Sequence, residues 1–293
     1  MEKSVDSHLQ IQKGILKYFK NRNGRVPYLN VLTGQCSEAA AKKLGTVKGY
    51  YSTSYEQVLH DDYEDEYITI VNNVCKQIQK ECSEISIPDT ADDIIKRYIV
   101  SSAMRSELAY HEFLESSQTA YLYNNQAKHA FIVEAGSWNG NSLIELIKDY
   151  KLSILENKTN HPFIVPRNCY YSMKVNGNEV YILPVRPKIA LAMLPPDDPN
   201  MTKSPNAHGW GIINDNKQIE KMNLQALQYE IVFNSVYVEQ NQKADQTDSQ
   251  QEGGKNKDVR SFVFSSNYSE LKNIWKTYKE KYRNNRTAQE EDN

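Results

Sequence analysis

The spacing of apolar side chains along the chain separates a β-rich start, a helical middle and a second β-rich stretch. Near the N-terminus short β-prone pieces alternate with turn signals. Asn23-Gly24 reads as a hairpin turn, because both residue types tolerate positive φ, and Gly34 marks a second turn. Strands are expected near residues 26–32, with Ile15, Leu16 and Phe19 packing beneath them. From Tyr55 the apolar positions recur at three and four residues: Tyr55, Leu59, Tyr63, Tyr67, Val71, Val74 and Ile78. That period is an amphipathic helix with an acidic outer face.

A second helix is expected from Thr90, which with Asp93 approximates a capping box after the breaker Pro88. Its apolar line is Ile94, Ile95, Tyr98, Ile99, Ser102 and Ala109. Further helical stretches are expected around 117–133 and 141–151, with a loop from Gly136 to Gly140 between them. After Lys151 the segments LSIL, HPFIV, NCYYSMKV, EVYIL and IALAML read as strands, and Asn176-Gly177-Asn178 makes a tight hairpin. A helix at 218–230 and the run SVYV complete the body.

Residues 241–258 carry no large apolar side chain, so burial cannot offset the entropy of ordering them, and a flexible linker is expected. Beyond it, VRSFVF reads as a strand and SELKNIWKTYKEKYRNNR as a basic amphipathic helix. Leu271, Ile274, Trp275, Tyr278 and Tyr282 form its apolar stripe, with Ser269 as the expected N-cap. The resulting organisation is a main α+β body over 1–240, a linker over 241–258, and a tethered strand and helix over 259–293. In fold terms, antiparallel β segments at both ends of the body surround a helical middle.

Composition narrows the function classes. The 20 tyrosines supply rings that serve equally in a core or on an adhesive surface. A net charge of −2 argues against a surface that is one phosphate-binding field, although a local basic patch is compatible with it. No run approaches the roughly 18 apolar residues of a membrane-spanning helix. The start MEKSVDSHLQ lacks the apolar stretch of a signal peptide, so a cytoplasmic location is expected. Cysteines 36, 75, 82 and 169 form no CxxC pair and read as reduced, structural thiols.

Order and residue type together resemble the bacterial domain-of-unknown-function family 4238 over about residues 8–238. The likeness rests on His8 followed by Leu16-Lys17-Tyr18-Phe19, then Gly24 and Thr33-Gly34, then Tyr50-Tyr51-Ser52 with Glu56 and Glu64. It continues in the helix around Arg105, in Pro184, Pro187 and Lys188, and in Asn223. Where the family carries a Phe-x-x-Ser-Asp-Asn-Pro phrase, this chain reads Phe163-Ile164-Val165-Pro166-Arg167-Asn168-Cys169, keeping the Asn and losing the acid. The family has no agreed activity for the resemblance to imply.

Residue type and resemblance together single out His8, Glu56, Glu64, Arg105 and Asn168 as catalytic candidates. A His with carboxylates suits acid–base work, and an Arg with an Asn suits a phosphate or carboxylate. The competing reading is a buried polar network without turnover. The acidic run 60–66, with Asp62 and Glu66 one turn apart, has donors suited to Mg²⁺ or Ca²⁺, but a solvated helix face explains it as well, and no metal or cofactor is expected. His111, His129 and His161 read as structural. No nucleotide-binding loop, nucleophile elbow or HExxH occurs, and Gly209-Trp210-Gly211 is too short to count.

Two functions follow as expectations. The first is a non-enzymatic interaction protein that modulates another protein complex, in its most specific form a phage or prophage accessory factor acting on a host defence system. It would bind a protein partner or a second copy through Leu271, Ile274, Trp275, Tyr278 and Tyr282, with self-docking and nucleic acid as alternatives. The second is a divergent nuclease or hydrolase using the His/Glu/Arg set.

Overall fold

The structure, a computed structural model, describes residues 6–8, 14–44, 46–48, 57, 60–82, 85–104, 141–196, 209–235 and 261–283. The N-terminal strands are β1 (Asp6–His8), β2 (Val26–Asn30), β3 (Cys36–Ala39) and β4 (Thr46–Lys48). Helices α1 (Asp65–Gln79), α2 (Ala91–Met104) and α3 (Asn141–Ile147) follow. Then come β5 (Lys151–Asn157), β6 (Val165–Pro166), β7 (Tyr171–Val175), β8 (Asn178–Arg186), β9 (Ile189–Leu194) and β10 (Gly209–Ile213). The chain continues through α4 (Asn216–Glu230), β11 (Phe262–Phe264) and α5 (Tyr268–Tyr278). The class is α+β.

The larger sheet has the order β10-β5-β9-β8-β7, antiparallel except where β10 runs parallel to β5. The two-residue turn from β7 to β8, Asn176-Gly177, has both residues at positive φ (52° and 87°), which matches the twist of the flanking strands. Strand β9 is buried along its whole length, as expected for the middle of a sheet covered on both faces. The N-terminus of α2 meets the start of β5, where Asp92 accepts the backbone N–H of Leu152 at 2.9 Å. The face carrying Ser153, Leu155, Met173, Val180 and Ile182 turns toward Met222 of α4.

The smaller sheet is β3-β2-β11-β6, and it revises the expected organisation. Strand β11 lies inside it: Val263 pairs with Leu29 on one side and with Pro166 on the other. Val263 and Phe264 are fully buried, and α5 packs on β2, β3 and α4. The strand and helix after residue 258 are therefore built into the body and are not a detached tail. A polar linker says only that its own residues cannot drive burial, whereas the alternation in Phe262-Val263-Phe264 selects the partner strand.

Most local expectations hold, with corrections. HPFIV is irregular until Val165, held by side chains and not by a strand ladder. The helix expected from Tyr55 is α-helical over Asp65–Gln79, after a π-helical turn at His60–Glu64. Ile15, Leu16 and Phe19 are fully buried, as are Tyr67, Val71 and Val74 of α1 and Ile95 and Ile99 of α2. The rings of Tyr67 and Tyr98 stack at 3.9 Å and join these two helices. Gly24 does adopt φ +73°, but its turn joins a 3₁₀ turn, Leu16–Tyr18, to β2, so it is no β-hairpin. Gly34 does turn a hairpin, from β2 into β3. The cap of α5 is Asn267, whose side chain accepts from the Ser269 N–H, in place of the expected Ser269. Helix α3 ends at Ile147, earlier than the expected 151. The stretches at 117–133, 136–140 and 241–258, and most of SVYV, lie outside the described residues.

Candidate functional site

The expected catalytic set is only partly within the described residues. His8 ends β1, with Thr46 opposite in the two-stranded sheet. Glu64 is half-exposed and closes a π-helical turn, His60–Glu64, before α1. Asn168 is buried in the tight turn after β6, and its amide Nδ2 has no hydrogen-bond partner. Glu56 and Arg105 lie outside the described residues.

A polar network lies elsewhere, around His161, which the sequence reads as structural, and around residues outside the expected catalytic set. The loop after β5 is shaped by Asn157, whose side chain accepts from the Thr159 N–H and hydroxyl and donates to the His161 carbonyl. His161 is thereby aimed at α5, and its Nδ1 lies 2.8 Å from Oε2 of Glu270. Glu270 is 4% exposed, and its other oxygen accepts from Asn223 Nδ2 at 2.9 Å. Asn223 also donates to the Pro162 carbonyl and accepts from the Ile164 N–H, so one fully buried side chain fixes the HPFIV segment.

The same loop is held from two further sides. His161 Nε2 faces Glu220 at 3.5 Å, and the Lys188 ammonium donates to the Thr159 and His161 carbonyls. Burial holds that ammonium below the ordinary lysine value, partly opposed by the Glu270 charge. At the far end of α4, buried Glu230 accepts from the Arg167 N–H at 2.9 Å and the Ser261 hydroxyl at 3.0 Å. Both ring nitrogens of His161 face carboxylates, and Glu270 is shared. The network thus ties α4, the 157–168 loop and the C-terminal segment together. One sequence signal was available for it: Glu270 sits four residues before Ile274, on the apolar side of the helix, where a carboxylate needs a partner.

The stripe on α5 divides into two parts. Leu271 and Ile274 are buried in the core of their own chain, so they are corrected from partner contacts to internal anchors. Trp275, Tyr278 and Tyr282 are half-buried and form a ladder of rings, with centroids 5.6 Å and then 5.2 Å apart. Lysines flank the rings: Lys279 lies over Trp275 at 5.9 Å and Lys281 over Tyr282 at 5.4 Å.

The described side chains of the acidic run are exposed or half-exposed. Glu66 pairs with Arg97 at 3.1 Å, and the exposed side chains of His60, Asp61 and Asp65 lie close enough together to share one cation. The Asp61 hydrogen bond raises the His60 imidazole above its ordinary value, against a smaller effect of burial. A cavity of about 290 Å³ opens between α4 and the larger sheet, lined by Leu155, Met173, Val180 and Ile182, with Lys221 and Gln218 also on its wall. Among the described residues no helix is long and apolar enough to cross a membrane. Compared with family models, with curated proteins and with solved structures, the chain finds no match.

Proposed function

We propose that this chain is a non-enzymatic interaction protein that modulates another protein complex, and that it binds an acidic surface of its partner through the outer side of α5. The supporting observation is the Trp275, Tyr278 and Tyr282 ladder, half-open and flanked by Lys279 and Lys281. Aromatic rings are the side chains that anchor protein interfaces, and a charged rim favours a complementary partner. Because Leu271 and Ile274 hold the helix in the core, little conformational entropy is lost when the ladder is covered.

The test is capture from the native host with the full chain, the Tyr278→Ala/Tyr282→Ala variant and the Lys279→Glu/Lys281→Glu variant, with mass measured on the same samples. A protein retained by the wild type and reduced at least about tenfold by both variants supports the reading. Equal retention by all three removes it. A doubled mass that both variants abolish identifies the partner as a second copy. The most specific form, a phage or prophage factor acting on a host defence complex, requires that the retained protein belong to such a complex.

A further inference from the structure

Arg186 ends β8 at an irregularity in its pairing with β9, where the register shifts between Pro184 and Arg186. Its guanidinium lies on the ring of Tyr18. The Nη2 group donates to Asn72 Oδ1 and Nη1 to the Val185 carbonyl, both at a long 3.4 Å. A guanidinium carries five N–H donors, so two long bonds leave most of its capacity unused. Among the described residues no carboxylate pairs with it. The Tyr18 hydroxyl donates to the same Asn72 oxygen at 3.2 Å, which leaves the Asn72 amide N–H₂ as a further donor. Lys17, exposed, places its ammonium 4.6 Å from the Tyr18 ring centroid.

Three elements distant in sequence therefore bring two cations, a phenol and a carboxamide together, and among the described residues no anion joins them. A cation–π stack alone would account for Arg186 on Tyr18, but it needs neither Lys17 nor the lack of a carboxylate. The phenol itself responds to this field. Burial pushes Tyr18 up, yet the Lys17 hydrogen bond and the Arg186 and Lys17 charges outweigh it and hold the group below the ordinary tyrosine value. Behind them Tyr67 is fully buried, its hydroxyl has no hydrogen-bond partner, and the Arg186 charge reaches it.

We infer that Lys17, Tyr18, Asn72 and Arg186 form a binding site for the phosphate group of a small ligand. Phosphate fits better than carboxylate because a fork of guanidinium donors, a mobile ammonium and a carboxamide offer more donors than two carboxylate oxygens use, and two positive charges match a dianion.

The experiment is calorimetric titration of the full chain with inorganic phosphate at constant ionic strength, with acetate as the comparison anion. Tyrosinate absorbance is followed in parallel at mildly alkaline pH. Saturable phosphate binding is expected, weaker acetate binding, and a loss of tyrosinate signal as the bound anion raises the Tyr18 phenol. Arg186→Gln weakens phosphate at least about tenfold, the loss of a charge-assisted hydrogen bond. Lys17→Gln, at an exposed position that the fold does not use, weakens it about threefold. No saturable heat, acetate binding as tight as phosphate, or wild-type affinity in a folded Lys17→Gln protein would each overturn the assignment.

Discussion

The indole of Trp275 lies so close to the backbone of Gly34 that a Cβ added there would sit 2.5 Å from Nε1. Gly34 also holds φ +71°, in the left-handed region. Two separate demands thus fall on one residue: the hairpin from β2 to β3 needs the conformation, and α5 needs the space. Gly34→Ala is expected to cost about 3 kcal/mol, of which about 1–2 is conformational and the rest is displacement of the ring. In a Trp275→Ala background the same change should cost only the conformational part. Chemical denaturation of the four proteins of the cycle measures the difference. Additive costs would mean that the ring moves aside freely.

The C-terminal segment is expected to be indispensable to folding. A chain ending at residue 260 loses β11 from between β2 and β6, and removes Glu270 from His161 and Asn223. It also strips Leu271 and Ile274 from the core. Such a chain should show no cooperative thermal transition and no near-ultraviolet circular dichroism. Glu270→Ala in the full chain is expected to cost about 2 kcal/mol, because it leaves one N–H of the buried Asn223 amide without its acceptor and the half-exposed His161 without its carboxylate. A truncated chain that melts cooperatively would contradict the central place of β11.

What could be read from the sequence is what local period encodes. Tyr67, Val71 and Val74 repeat at helical spacing, and Asn176-Gly177 carries its turn chemistry in two residues. The insertion of β11 beside β2 has no such signature, because Val263 and Leu29 meet across most of the chain. His161 and Glu270 meet over 109 positions for the same reason. Arg186 gave no signal either: its neighbours Tyr18 and Asn72 arrive from a 3₁₀ turn and a helix that only tertiary packing brings together. The stripe on α5 was legible as apolar, but which of its residues face the chain's own core depends on where the helix docks.

The cysteines should separate into two classes under native conditions. Burial pushes the Cys75 thiol up to about 11, and Cys75 and Cys169 are each 1% exposed. Cys36 and Cys82 are half-buried, and burial also raises Cys36, with Lys272 opposing it. Alkylation at neutral pH followed by mass spectrometry should mark Cys82 and, more slowly, Cys36, because the thiolate is the reactive form. All four react in denaturant. Native labelling of Cys75 would contradict the packing of α1 against the core.

Alkaline pH should reveal the buried tyrosines. Burial raises the Tyr67, Tyr171, Tyr181 and Tyr229 phenols above the ordinary value of 10.0. A group whose folded value is raised contributes stability that is fully present below its unfolded value. That stability is lost as pH climbs, because the unfolded chain releases the proton first. Stability should therefore decline steeply from about pH 10, each such tyrosine contributing up to about 1.4 kcal/mol per pH unit. The hydroxyl of Tyr171 has no hydrogen-bond partner, so Tyr171→Phe removes a buried polar atom without breaking a bond. At pH 7 this variant should be as stable as the wild type or more so. Its alkaline unfolding midpoint should move upward, since one proton-release site is gone. Denaturant melts at neutral and alkaline pH measure both, and a large loss at pH 7 would mean that the hydroxyl is engaged in the native protein.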